Sequence, residues 1–105
     1  MPAEYRRGEV WQIDFGLAAK VRPALLLSHP PAESARALVT VVYHTTAVRG
    51  TPHEVPLRVR GLEEGAFDAQ NIYTVPLVKL IRHRATLSEE QLAKVESAVR
   101  SWLVL

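Results

Sequence analysis

The chain has 105 residues, of which 48% are hydrophobic and 23% charged, with a formal net charge of +2. That length suits one domain over residues 1–105 with its own core and leaves little room for a second. The lack of cysteine excludes a disulfide framework, a thiolate nucleophile and a Cys-based zinc site, so any chemistry must use oxygen and nitrogen groups.

The N-terminal Met1-Pro2-Ala3-Glu4-Tyr5-Arg6-Arg7 carries charge with no apolar segment behind it, and no run approaches the length of a bilayer span, so a soluble, cytoplasmic protein without membrane contact is expected. Val10, Trp11, Ile13 and Phe15 lie in a run rich in strand formers that Gly16 ends, which predicts a first strand over 8–15. Pro23 has no N–H to give a central ladder, which places Arg22-Pro23 at the beginning of a strand. Residues 24–28 and 37–45 are near-continuous aliphatic runs, the pattern of strands buried on both faces or curled into a small barrel, with His29-Pro30-Pro31 breaking the chain between them. Residues 53–60 alternate, with Val55, Leu57 and Val59 on one face, and Pro56 marks this strand as an edge. Gly61 and Gly65 bracket an acidic turn, and 70–76 and 78–84 are further short strands.

A helix begins at Ser88, because Ser88 and Gln91 form a capping-box pair and Leu87 can staple onto Leu92 across it. Leu92, Val95, Val99, Trp102 and Leu103 fall at helical spacing, so this segment is expected to pack on the sheet rather than to carry chemistry. Five to seven strands and a C-terminal helix make the fold class mainly β (α+β), a small barrel with a helix packed outside.

Two segments join apolar strands to groups that a phosphate could use. Arg22 heads one strand with a permanently charged planar fork, and Thr45 and Thr46 end the other with hydroxyls, so adjacent pairing would create an anion site. Across residues 1–60 eight Lys or Arg stand against five Asp or Glu, and Arg82-His83-Arg84 adds a later basic cluster, which fits either a solvated surface or a phosphate-facing patch.

The landmarks also come in a particular order. Arg7-Gly8-Glu9-Val10-Trp11-Gln12-Ile13-Asp14-Phe15, Arg22-Pro23 before an aliphatic run, Thr45-Thr46, and Arg49-Gly50-Thr51-Pro52-His53-Glu54-Val55-Pro56-Leu57 cover roughly the first 60 residues. In this order they resemble the MazF/PemK/Kid family of toxin ribonucleases. The resemblance implies an SH3-like barrel of the CcdB/MazF/Kid type, a homodimer, single-stranded RNA as substrate, an acidic antitoxin as partner, no cofactor and no metal. It also implies catalysis by the Arg of the Arg-Pro pair and the first Thr of the Thr-Thr pair, here Arg22 and Thr45. Cleavage without metal has the ribose 2′-hydroxyl attack its own phosphate, giving 2′,3′-cyclic phosphate and 5′-hydroxyl ends; Arg22 then serves as an electrostatic clamp and Thr45 as a positioning donor.

His44 adjoins Thr45, but neighbouring side chains on a strand point to opposite faces, so both reach one phosphate only where the strand ends or bulges. His53, near the Arg49-Gly50 turn, and Arg49 itself are possible RNA contacts, as is Thr46. Many family members carry a longer, more polar loop where this chain has only Gly16-Leu17-Ala18-Ala19-Lys20-Val21, which puts substrate recognition and toxicity in question. Where relatives often place an acid directly before glutamine, this chain separates Asp68 from Gln70; Gln70-Asn71 or Asp68-Gln70 could each be the counterpart, which makes Asp68 and Gln70 possible groove residues, or a polar turn. Tyr43, Tyr73, Trp11 and Phe67 are the aromatic candidates for base contact. A barrel that binds nucleic acid or protein without cutting, and a CcdB-like gyrase poison, are the alternative functions.

Overall fold

The computed structural model describes residues 4–16, 18 and 20–105. Six strands, β1 (Glu9–Asp14), β2 (Val21–Leu26), β3 (Leu38–Thr45), β4 (Glu54–Pro56), β5 (Ala66–Pro76) and β6 (Leu80–Thr86), precede a helix, α1 (Glu89–Leu103), and a 3-10 turn at Leu77–Lys79 joins β5 to β6. They form one antiparallel sheet in the order β4-β5-β3-β2-β1-β6, with β4 and β6 at its two ends.

The aliphatic runs of β2 and β3 are explained by burial on both faces of that sheet. Val10, Leu25 and Val42 join Phe67, Val59 and the helix residues Val95 and Val99 in one cluster. The alternate residues Trp11, Ile13, Ala24, Leu26 and Val41 join Val75, Leu77 and Leu80 in the other. Each fully buried Val, Leu or Ile contributes about 1.5–3 kcal/mol, so these two clusters are the main source of stability.

The Arg-Gly-Glu-Val-Trp opening fastens β1 to the helix. Arg7 donates from Nε to the Leu27 carbonyl at 2.7 Å and pairs with Glu96 on α1. Gly8 has φ +94°, and a Cβ there would already touch Leu92 at 3.4 Å. The Glu9 carboxylate accepts from the Trp11 indole at 2.9 Å, which holds the ring against the second cluster.

Several sequence expectations require correction. β4 is three residues long instead of spanning 53–60, because Pro56 has no N–H with which to extend a ladder. The chain after it turns toward β6, where Arg84 donates to the Gly61 carbonyl at 3.2 Å. β5 begins at Ala66 instead of residue 70, since Ala66, Phe67 and Asp68 pair with both β3 and β4. The capping box is present, Gln91 N donating to Ser88 Oγ at 3.1 Å and Ser88 N to Gln91 Oε1 at 2.9 Å. The buried stripe, however, stops at Val99, and Trp102 and Leu103 are exposed. Leu17 and Ala19 of the 16–21 loop, and Met1, Pro2 and Ala3 of the N-terminal segment, lie outside the described residues.

Candidate active site

Arg22 and Thr45 line the same two clefts because two neighbouring strands part company. β2 and β3 pair at Ala24↔Tyr43, Leu25↔Val42 and Leu26↔Val41, and there the ladder stops. Continued one step and then another, the same register would set Arg22 opposite Thr45. Pro23 sits in this gap, still matched to Gln12 of β1 but with no β3 partner. The end of β3 turns instead to β5, pairing Thr45 with Ala66.

Parting the strands opens two clefts that share Arg22, Thr45 and Ala47. The larger, about 630 Å³, also has Tyr43, Arg49, Thr51, Glu54, Asp68, Gln70, Asn71 and Trp102 in its walls. The smaller, about 430 Å³, is completed by Gln12, Pro23, His44, Thr46, Glu63 and Arg84. Arg22 and Thr45 thus stand on the ridge between them. The Arg22 guanidinium lies 5.3 Å from the centre of the Tyr43 ring, which is itself stacked at 4.6 Å on Tyr73 and met edge-on by Phe15 at 4.6 Å. That aromatic bed limits the directions in which the fork can point. Burial, with the Tyr73 phenol beside it, raises the Tyr43 pKa, while Arg22 pulls it partly back, so this phenol stays protonated. Thr45 Oγ1 accepts from Ala47 N–H at 3.1 Å, and a hydroxyl whose oxygen is held this way keeps its proton to donate elsewhere.

A three-residue irregularity in β5 builds the far lip of the larger cleft. The β3–β5 register jumps from Val42↔Ile72 to Tyr43↔Asp68, which leaves Ala69, Gln70 and Asn71 without β3 partners. Asp68 pins this bulge, accepting from Gln70 N–H at 3.0 Å and from the Asn71 amide at 2.6 Å, and Ala69 N–H donates to the His53 carbonyl at 3.0 Å. The near lip is the Arg49–Thr51 turn. Glu54 folds back under it and accepts from Arg49 N–H at 3.0 Å and Thr51 N–H at 2.8 Å. These backbone donors, Arg49 first, lower the Glu54 pKa and keep its carboxylate ionised.

Of the residues singled out from sequence, Arg22, Thr45, Arg49, Asp68 and Gln70 come together around the larger cleft, and Thr46 and His44 around the smaller. His53 lines neither; its ring packs on Trp102 with centres 5.0 Å apart. His44 is 4% exposed, turned edge-on to Phe67 at 5.0 Å, and its Nε2 finds no hydrogen-bond partner among the described residues. Burial lowers its pKa, Arg84 adds to that and Glu63 opposes it, so the ring is neutral at pH 7. Sequence reasoning missed Glu54 and Trp102, and gave Asn71 no role of its own beside Gln70. Glu54 had a usable signal, a carboxylate three residues beyond a Gly-Thr turn whose N–H groups need acceptors. Trp102 had none, because its spacing matches the buried stripe. No group of three His, Cys, Asp or Glu residues that could hold a metal occurs among the described residues.

A family model for PemK-like, MazF-like toxins of type II toxin–antitoxin systems matches residues 6–103, a span that takes in both clefts. The chain belongs to this toxin family. Among solved structures, it is similar to an endoribonuclease in complex with its cognate antitoxin from a mycobacterial species, at 25% identity and a TM-score of 0.83 over 97% of each chain. It is similar to the Mycobacterium tuberculosis toxin MazF-mt6 at 28% identity and a TM-score of 0.78, over 92% of this chain and 97% of that one. A MazE-MazF crystal structure from Deinococcus radiodurans shares the fold, with a TM-score of 0.80 at 22% identity over 97% of each chain. No curated protein matches the sequence. The mostly antiparallel sheet with a C-terminal helix thus has the fold of these structural neighbours, and no helix among the described residues is long and apolar enough to cross a membrane.

Proposed function

We propose that this toxin is a cytoplasmic, metal-independent endoribonuclease that cuts single-stranded RNA at the ridge between the two clefts, with residues 1–105 acting as one domain. Family membership and relatives named endoribonucleases support the activity. The observation that carries the site is the parting of β2 from β3, beyond which Arg22 and Thr45 both line both clefts. An RNA strand crossing the ridge would place its scissile phosphate there, with one flanking nucleotide in each cleft.

The chemistry follows from these two groups. Attack of the 2′-oxygen on phosphorus builds negative charge on the non-bridging oxygens, and the Arg22 fork neutralises that charge through two parallel N–H···O bonds. Thr45 donates its O–H to one of the same oxygens and fixes the phosphate for in-line departure of the 5′-oxygen. The 2′-hydroxyl gives up a proton as it attacks and the departing 5′-oxygen takes one up as the P–O5′ bond breaks, so the products are a 2′,3′-cyclic phosphate and a 5′-hydroxyl. Glu54 and Asp68 are anionic but already engaged with backbone and amide donors, which moderates their repulsion of the RNA backbone.

A homodimer is supported by the exposed apolar side chains Val78, Ile81, Leu103, Val104 and Leu105, and light scattering should then report twice the 11.7 kDa chain mass. An acidic antitoxin partner is supported by the relative solved with its cognate antitoxin and by Arg22, Arg49 and Arg84 in the clefts. A tail of carboxylates laid there would compete with RNA, and salt would weaken both complexes.

The deciding experiment incubates purified protein with a long RNA, with and without excess EDTA, and analyses the ends. Cutting that EDTA leaves unchanged, with 5′-hydroxyl termini, is expected. A requirement for added Mg²⁺, or 5′-phosphate termini, overturns the mechanism. An intact RNA together with inhibited gyrase would favour the gyrase-poison alternative.

A further inference from the structure

We infer that Trp102 is a stacking platform for one unpaired RNA base in the larger cleft, with the Gln70 side chain placed to read that base along its edge; this rests on the ribonuclease reading above. Indoles are normally buried, and the other tryptophan here obeys that rule: Trp11 is 7% exposed and its indole N–H is committed to Glu9. Trp102 is 43% exposed on the last turn of α1 and forms part of the wall of the same cleft as Arg22, Thr45 and Arg49. An exposed indole beside cations and amides is the surroundings in which single-stranded nucleic acids stack their bases.

The ring is also held in place. His53 packs against it at 5.0 Å with its plane tilted by 56°, which supports one side and leaves the cleft side open. Below it, the helix is stopped by Val104 in the left-handed region at φ 59°, and both Val104 N–H and Leu105 N–H bond back to the Arg100 carbonyl. A platform fixed in this way loses little freedom when a base lands on it. Across the cleft, Gln70 is exposed on the β5 bulge, and its amide offers a donor and an acceptor, the combination that distinguishes one base edge from another. The phosphate clamp at Arg22 holds any RNA strand, whereas this pair responds to which base flanks the cut.

The test uses the full chain and 2′-O-methyl homo-oligonucleotides of each base, which bind but lack the attacking hydroxyl. Titration into the parent protein should quench tryptophan fluorescence, more strongly with one base than with the others. Trp102→Leu should abolish the quench, since Trp11 is buried, and Trp102→Phe should keep oligonucleotide affinity within a few-fold. On cleavable RNA, Trp102→Leu should raise KM by roughly 5- to 100-fold, the usual range for losing one stacked base, with kcat close to parental. Gln70→Ala should flatten the base preference without removing the quench.

A quench that persists in Trp102→Leu, or an unchanged KM in that variant, overturns the inference. So does a halving of the mass seen by light scattering in Trp102→Leu, because that would place the indole between two copies of the chain. A parent that cuts no RNA but still shows a base-dependent quench through Trp102 would sink the ribonuclease reading alone, so the two failures are separable.

Discussion

Gly65 sits behind the proposed catalytic ridge, and adding one methyl group there should damage the site from the rear. A Cβ at residue 65 would lie 2.2 Å from the Thr45 carbonyl oxygen, 3.0 Å from the Thr45 carbonyl carbon and 3.0 Å from His44 Cε1. Ordinary contacts begin at 3.4 Å, so the end of β3 would have to move by more than about 1 Å to admit the methyl group. Neither neighbour can yield cheaply. The Thr45 backbone is paired with Ala66, and the His44 ring is packed on Phe67. Overpacking of this kind costs about 1–3 kcal/mol, and each kcal/mol lowers the Tm of a domain this size by roughly 4–8 °C. A displacement of about 1 Å at a positioning group costs on the order of 10²-fold in rate. Gly65→Ala should therefore lower the urea midpoint, followed by circular dichroism at fixed protein concentration, and slow single-turnover RNA cutting even where the variant is fully folded. A variant with the parental midpoint and rate would refute the close approach. One that is destabilised yet cuts at the parental rate would refute the placement of Thr45 in the chemistry.

Other substitutions probe the front of the site. Arg22→Ala should slow cutting by on the order of 10²-fold or more, and Thr45→Ala by less, because a neutral hydrogen bond is weaker than a charge-assisted one; full activity in Arg22→Ala with none in His44→Ala would transfer the chemistry to histidine. His44 also sets a pH dependence. Its folded pKa is lowered by burial, so below the ordinary value of 6.5 the unfolded chain binds the proton more readily, and stability falls as pH drops from 6.5 through the lowered value. Urea midpoints measured between about pH 7.5 and pH 5 should fall more steeply for the parent than for His44→Leu, and equal slopes would contradict this account. Glu54→Gln should loosen the near lip of the larger cleft, seen as faster amide exchange at Arg49 and Thr51 and as a higher KM; unchanged exchange at both amides would show that the carboxylate does not hold the turn.

The parts of this protein legible in its sequence are those written in local patterns. Continuous aliphatic runs at 24–28 and 37–45 announced strands covered on both faces, and Ser88 with Gln91 announced the start of the helix, because each signal needs only neighbouring residues to interpret. That Arg22 and Thr45 share a site was legible for a related reason: one residue heads a strand and the other ends the next, so antiparallel neighbours set both at the same end of the pair, where the ladder stops and the clefts open. Arg7 to Trp11, one of the landmarks whose order resembles the toxin family, ties β1 to α1 through the Arg7–Glu96 pair.

What the sequence hid depends on register. A strand that pairs regularly and one that carries three residues without β3 partners have the same composition, so although Gln70 is a groove candidate from sequence, nothing in Ala66–Pro76 announces the register shift that carries it and Asn71 into the cleft. Trp102 was hidden by the same kind of ambiguity. Its spacing from Val95 and Val99 extends the apolar stripe, and only the position of His53 beside short β4 reveals that the buried cluster has ended one turn earlier. The bulge and Trp102 both line the cleft that Arg84 does not, whereas Arg22 and Thr45, proposed to hold phosphate, lie at strand ends. Phosphate holding needs only a cation and a hydroxyl at a gap between strands, which strand ends supply. Base reading needs side chains lifted out of the regular pleat, and a bulge or an overrunning helix end supplies those at positions that periodicity cannot mark. In this sheet, the proposed phosphate chemistry is therefore written where elements begin and end, and the proposed recognition chemistry where their regularity breaks.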